Sequence, residues 1–290
     1  MKILILGRGK TGTTAILFKI AAGLPNCQAF SGGDVGKHLT KDLGGYENAV
    51  YKQTYSERKG RTLEAYRDHA AKTNYDRKIW MARDPRDAAV SRMLYRWHKG
   101  NWGQRKQYLK HLELVKKKEL DPRSIPFHLL FRYIGSDGRP LTTDELVEME
   151  TVRYQQMSDF AESLGSDWFI FKYEDMIDKN YQALNEYLGF PVVDEAEIPK
   201  TTKKSKVVRK KAYGDWRHWY TEEDADLFKP PYLPYMKTMG YDCDDWALSP
   251  NPVIEPQYSS MYMEGLIRKH TQYVIRSIKD FVLRPFVKSS

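Results

Sequence analysis

Residues 2–17 read KILILGRGKTGTTAIL: a short apolar run passes into a turn of glycines and threonines holding one lysine, then into a second apolar run. Ile3 to Leu6 has the make-up of a buried strand. Thr14 to Ala22 has helical periodicity, with Ile16, Leu17 and Ile20 on one face and Gly23 and Pro25 as its stop. Strand, glycine-rich turn and helix together make an anion cradle. Glycine lets the backbone approach an oxyanion, the free amides of a helix start point at it, and the helix dipole favours negative charge there. Lys10 adds a mobile full charge, and the threonine hydroxyls add donors. The chain is therefore expected to act on a phosphate-like group.

Working outward, the alternation of strand and helix continues. Gln28 to Ser31 reads as a second strand opening into Gly32-Gly33-Asp34, and Ala49 to Tyr51 as a third, just before Lys52. Arg61 to Lys72 reads as an amphipathic helix, and Lys78 to Ala82 as a buried strand. Asp84 is a good N-cap and Pro85 a good first helical residue for a helix to about Trp97. Residues 100–150 are lysine-rich, the least regular part of the pattern, and read as a helical insertion over the core, covering an acceptor site. Helices over Thr151–Leu164 and Lys179–Leu188 flank a strand at Trp168–Phe171. This order predicts an α/β fold, a central parallel sheet with helices on both faces. Ligands of such sheets sit at the carboxyl ends of the strands, where the lysine loop, Arg83 and Tyr173 emerge.

The expected organisation is one domain over 1–249, a proline-rich linker over 250–258 and a basic amphipathic helix over 259–290. That helix fits docking on the domain, on a second copy in a homodimer, or peripherally on a membrane surface. With 47 Lys and Arg against 38 Asp and Glu, the net charge of +9 calls for an anionic partner. Aromatic content of 13 % argues against disorder. Cys27 and Cys243 cannot build a disulfide framework, which favours a reducing compartment. No apolar run reaches the roughly 20 residues that span a bilayer, and the first apolar stretch leads into the anion loop rather than a cleavage site. A soluble, cytoplasmic protein is the expectation.

A nucleotide-binding P-loop needs G-x-x-x-x-G-K-[ST]. Gly9-Lys10-Thr11 supplies its ending, but the first glycine would fall at Leu4. With its early lysine, GRGKTGTTAI instead resembles the 5′-phosphosulfate loop of sulfotransferases that use 3′-phosphoadenosine-5′-phosphosulfate (PAPS), and K-T-G-T-T-A is most similar to the heparan-type, carbohydrate-modifying members. Three further stretches resemble that family, in its order. ARDPRDAAVSRMLY (82–95) is similar to the 3′-phosphate motif, with Arg83 at a strand end and Ser91 on the next helix. FIFKYEDM (169–176) is similar to the strand and turn that reach the adenine. VRKKAYGDWRHWYT (208–221) resembles the late R-K-G-x-x-G-D-W-[KR] segment, although Lys211 stands where the family has glycine.

The resemblance implies PAPS as co-substrate with no metal required, and a hydroxyl or amine of an acceptor as sulfuryl receiver. It places Lys10 on the phosphate–sulfate bridging oxygen. Arg8, Thr11, Gly12, Thr13 and Thr14 would line the 5′-phosphate. Arg83, Ser91, Arg209 and Lys210 would hold the 3′-phosphate, with Tyr173 beside the adenine. A compact dianion is well received by a forked guanidinium plus a hydroxyl. For the general base, Asp34 stands near the position of the glutamate of carbohydrate-modifying members. Glu57, His69 and His98 are reserves, and Lys52 is a second cation for the sulfuryl oxygens. Thr54 stands where the phenol- and steroid-modifying branch has histidine, which tilts the acceptor toward a carbohydrate, glycolipid or other alcohol. Two rival classes stay open: a kinase-like phosphotransferase, and a nucleic-acid binder using Lys116–Lys118 and the basic run from Lys200 to Arg217 with Tyr213, Trp216 and Trp219 as stacking surfaces.

Overall fold

Strands β1 (Lys2–Arg8), β2 (Cys27–Ser31), β3 (Asn48–Tyr55), β4 (Arg77–Ala82) and β5 (Trp168–Lys172) form one parallel sheet in the order β2-β3-β1-β4-β5. The computed structural model describes residues 1–31, 45–55, 63–98, 104–135, 139–199 and 210–266. Asp34, Glu57 and Arg209 lie outside the described residues, as do the side chain of His69 and the expected C-terminal helix beyond residue 266. The helices are α1 (Thr13–Ala22), α2 (Leu63–Lys72), α3 (Pro85–Tyr95), α4 (Arg105–Leu120), α5 (Phe127–Phe131), α6 (Thr143–Glu162), α7 (Tyr173–Ile177), α8 (Gln182–Leu188), α9 (Trp216–Trp219) and α10 (Glu222–Thr238). The α/β class expected from the sequence is the one observed.

Central strands of a parallel sheet are covered on both faces, so they read as unbroken apolar runs, as Ile3 to Leu6 does. The period of two divides them between the faces. Ile3 and Ile5 join Val50, Ile79, Met81 and Phe171 beneath α1 and α8. Leu6, Trp80 and Ala82 face the larger core, built with α2, α3, α4, α5, α6 and α10.

The described residues of the expected insertion are largely helical, as expected, but they are packed into the main core rather than laid over it. Tyr108, Leu112 and Val115 of α4 and Phe127, Leu130 and Phe131 of α5 enter the main core with Leu146, Tyr154 and Phe160 of α6. Lysines hid the apolar spacing of 108, 112 and 115. One of them, Lys118, is itself buried, its ammonium donating to the carbonyls of Pro122 (2.6 Å) and Ile125 (2.5 Å). Helix α6 starts eight residues before the expected Thr151, at a capping box: the Thr142 hydroxyl accepts the Glu145 amide, and Glu145 accepts the Thr142 amide. That T-x-x-E signal was present in the sequence. Asp224 is fully buried and accepts the amides of Thr221, Phe127 and His128, tying the starts of α5 and α10 together.

Further on, Ile254 is buried in the main core. The Glu119 carboxylate accepts the amide and hydroxyl of Ser260, and the Tyr108 hydroxyl donates to the Met263 carbonyl, which seats residues 259–266 against α4. No helix among the described residues is long and apolar enough to cross a membrane.

One buried group makes stability pH-dependent. His111 is fully buried, accepts the Trp97 indole N–H on Nδ1 (2.8 Å) and lies flat on Tyr133 (ring centroids 4.6 Å apart). Burial lowers its pKa from 6.5 to about 3. The unfolded chain therefore takes up a proton below about 6.5 that the folded chain refuses until about 3, so the stability due to neutral His111 is lost as pH falls through that window. The loss runs up to about 1.4 kcal/mol per pH unit. Urea unfolding of wild type and His111→Phe at pH 7, 6 and 5 checks this: the variant pays a constant penalty for the stranded indole N–H and shows a flatter pH slope. Parallel slopes would remove His111 as the cause.

Candidate functional site

Strand β1 ends at Arg8 and α1 starts at Thr13, so the cradle is a turn of four residues. Lys10 (φ 81°) and Gly12 (φ 82°) are left-handed and flank Thr11, whose φ is negative. Alternating φ signs swing successive amides to one side, the geometry of an anion nest. The Thr11 amide and hydroxyl both donate to the Arg8 carbonyl (3.3 and 2.8 Å), closing the turn. Helix α1 has no side-chain cap, which leaves its first-turn amides facing the same concavity.

Two glycines are required here for want of space. A Cβ on Gly7 would stand 2.7 Å from Thr13 Cγ2 and 2.8 Å from Met81 Cβ, and one on Gly12 would stand 2.7 Å from Tyr173 Cδ2. Gly7 and Gly12 thus bracket the turn at G-x-x-x-x-G spacing, with Thr13 where a nucleotide P-loop has lysine. Aligning on Gly9-Lys10-Thr11 concealed this register. Leu4, where that alignment puts the first glycine, is fully buried in mid-strand.

Lys10 holds a conformation that costs a non-glycine residue of order 1 kcal/mol. The prop is Arg83, at the end of β4, whose Nη1 donates to the Lys10 carbonyl at 3.0 Å. The Arg83 guanidinium also lies 4.1 Å from the centroid of the Tyr173 ring. It forms no ion pair with Asp84 or Asp87, because both are used otherwise. Asp84 caps α3 and pairs with Arg86, whereas Asp87 accepts the amides of Gly214 (2.6 Å) and Trp216 (3.2 Å). Burial pushes the pKa of the Asp87 carboxyl upward, against the pull of Arg83 and of those two amides, which favour the carboxylate.

The Lys10 ammonium sits 4.3 Å from the centroid of Tyr95, which stacks on His98. Lys52 is aligned with Ile5 in the sheet and shares the face of Val50 under α1. There its buried ammonium donates to the Thr14 hydroxyl at 3.1 Å. The Arg8 guanidinium reaches Met157 Sδ at 3.8 Å, and Ser91 is half-buried on α3. The carboxyl ends of the strands therefore gather Arg8, Lys10 to Thr14, Lys52, Arg83 and Tyr173. Glu174 joins two of these ends: it accepts the Asp84 amide (3.0 Å) and the Tyr241 hydroxyl (2.9 Å), and burial raises its pKa.

The late segment is arranged differently. Lys210 is held 2.7 Å from both Asp215 and Glu255. Lys211, in the family's glycine position, takes φ 55°, and Gly214 takes φ 82°, so the backbone follows a glycine-like path despite the lysine. The Tyr213 hydroxyl donates to Asp178 at 2.8 Å. Sequence reasoning missed Asp87, Tyr95 and Glu174. Only Asp87 left a signal, as the second aspartate of a five-residue run whose charges otherwise look like one solvated face. Among the described residues no group of three or more His, Cys, Asp and Glu side chains is placed to hold a metal ion.

No family model matches the chain, and no curated protein matches it. Among solved structures it is similar to mouse sulfotransferase SULT7A1 complexed with PAP, at 15 % identity and a TM-score of 0.42, over 81 % of this chain and 84 % of that one.

Proposed function

We propose that this chain is a sulfotransferase that moves the sulfuryl group of PAPS to an acceptor hydroxyl, with a carbohydrate or glycolipid as the acceptor class. The observation that carries this reading is the bond from Arg83 to the Lys10 carbonyl. It joins a phosphate nest bearing a lysine to a guanidinium at the end of the adjacent strand, so that the nest and the guanidinium stand side by side for a ligand with two phosphate centres. Thr13 in the P-loop lysine position speaks against a nucleoside triphosphate in the same nest. Tyr173, whose ring edge packs against Gly12 and whose centroid lies 4.1 Å from the Arg83 guanidinium, is the aromatic beside which the adenine would lie.

In this reading the acceptor oxygen bonds to sulfur as the bond from sulfur to the bridging oxygen breaks, and the acceptor proton passes to Asp34. Charge builds on the leaving oxygen, so catalysis rests on positioned cations and donors. Lys10 meets that oxygen. The amides and hydroxyls of Thr11 to Thr14 with Arg8 hold the 5′-phosphate, and Lys52, steadied by Thr14, faces the sulfuryl oxygens. Arg83 and Ser91 take the 3′-phosphate, with Arg209 and Lys210 closing from the late segment once Lys210 exchanges its carboxylate partners for phosphate. No step is assigned to a metal. Residues 100–150 would shape the acceptor side, and the C-terminal helix a dimer or membrane contact. Two free cysteines fit a reducing, cytoplasmic setting.

Thermal shift tests the class. Binding stabilises by RT ln(1 + [L]/Kd), about 2.7 kcal/mol at a hundredfold excess, or roughly 5 °C for a chain of this size. A rise of that order is expected with 3′-phosphoadenosine-5′-phosphate, a smaller one with ADP or ATP, and none with magnesium alone. A larger response to ATP with magnesium would point to a phosphotransferase. An oligonucleotide that the bisphosphate fails to displace would point to a nucleic-acid binder.

A further inference from the structure

Helix α3 opens with Arg83-Asp84-Pro85-Arg86-Asp87, and each charged side chain there has its own direction. Arg83 goes to the loop. Asp84 turns back to Arg86, and Arg86 lies between Trp216 (4.3 Å) and Trp246 (4.9 Å). Asp87 is the third residue of the helix and could have served its own first turn, the usual use of an acid there. Instead it crosses to the late segment, 2 % exposed, and accepts the amides of Gly214 and Trp216. These are donors without alternative: Gly214 is left-handed, and Trp216 opens α9, whose N-cap Asp215 makes no capping bond of its own. Asp215 is turned to Lys210. A residue of one element thus caps the start of another, and the two elements carry the two halves of the proposed 3′-phosphate grip.

We propose that Asp87 is a positioning residue that clasps residues 210–216 onto α3 and so sets affinity for the 3′-phosphate; this rests on the functional reading above. Only a carboxylate offers two acceptor oxygens to two converging N–H groups. An amide of the same shape offers one acceptor and aims an NH2 at the other donor. Asp87→Asn therefore breaks one bond of the clasp and sets two donors against each other at Gly214 or at Trp216, whichever way the amide turns, with little change in volume. Arg86 between its two indoles and the Tyr213–Asp178 bond still hold the segment nearby, so the consequence is a loosened segment rather than an unfolded domain.

The test uses the full chain and two readouts. In the absence of ligand, hydrogen exchange over residues 210–219 is compared between wild type and Asp87→Asn, with Asp87→Glu as the conservative rescue. Exchange there is expected to rise at least about tenfold in Asp87→Asn while the amides of β1 and β4 stay protected. With PAPS and a turned-over acceptor, the KM for PAPS is expected to rise about tenfold with kcat nearly unchanged, and Asp87→Glu to recover part of both. A segment that exchanges alike in wild type and Asp87→Asn overturns the clasp whatever the ligand. A loosened segment with unaltered KM overturns its link to phosphate affinity. Loosening in Asp87→Asn, with a wild type that does not itself bind 3′-phosphoadenosine-5′-phosphate, supports the clasp and overturns the sulfotransferase reading instead.

Discussion

Lys10→Ala turns over at least about a hundredfold more slowly than wild type while its fold and its affinity for 3′-phosphoadenosine-5′-phosphate stay within a few-fold. Removing one positioned donor to developing negative charge typically costs about 10²–10³ in rate, and Lys10 brings a full charge to a nest of partial ones. The expectation that binding survives rests on the geometry. The turn is closed by Thr11 on the Arg8 carbonyl, the first-turn amides of α1 are backbone, and Arg83 grips a carbonyl that alanine retains. What Lys10 loses is its place over Tyr95, an exposed-side contact worth about 0.5–1 kcal/mol. Strain is controlled by a second variant. At φ 81° alanine is as strained as lysine, whereas Lys10→Gly relaxes it. Lys10→Gly should therefore be as slow as Lys10→Ala yet no less stable. Steady-state sulfation with thermal melts decides the matter, and near-normal turnover in either variant would strip Lys10 of its role.

What the sequence disclosed depended on how local each signal was. The sheet was legible because Ile3–Leu6 and Ile79–Ala82 are short unbroken apolar runs, each followed by its own helix start; Asp84-Pro85 even announced its cap, and the Asp84 carboxylate does accept the Arg86 amide. The cradle was legible because glycines at 7, 9 and 12 with a strand before them leave the chain few other shapes. The core packing of 104 to 150 was not, because its apolar residues meet partners on α10 far along the chain, and runs such as Lys116–Lys118 look solvated until the loop that buries Lys118 is in place. The same distance hid Asp87. Nothing near it in sequence needs its two acceptors; the amides that do come 127 and 129 residues later. Charge runs were the least readable feature throughout. Arg83, Asp84, Arg86 and Asp87 form a string in which only the fold reveals that a single cation is turned toward the loop.

That lone cation gives the other large effect. Arg83→Ala should weaken 3′-phosphoadenosine-5′-phosphate binding by about 10–150-fold, since a charge-assisted bond to a dianion is worth about 1.5–3 kcal/mol. The structure adds a complication: besides the phosphate role proposed for it, Arg83 props the Lys10 carbonyl at 3.0 Å. Losing the prop would loosen the nest and weaken any ligand of the loop. A cycle separates the two. Each protein is titrated with 3′-phosphoadenosine-5′-phosphate and with adenosine 5′-phosphate, which lacks the 3′ group, so that the arm in common reports the loop and the difference reports the 3′-phosphate. Wild type should discriminate between the two ligands by far more than Arg83→Ala does, while adenosine 5′-phosphate weakens only a few-fold. Arg83→Lys should keep charge yet recover little, because a lysine cannot fork between a carbonyl and a phosphate across the Tyr173 ring. If both ligands weaken equally in Arg83→Ala, the guanidinium serves only the loop, and the 3′-phosphate must be sought on the late segment, where Lys210 waits between Asp215 and Glu255.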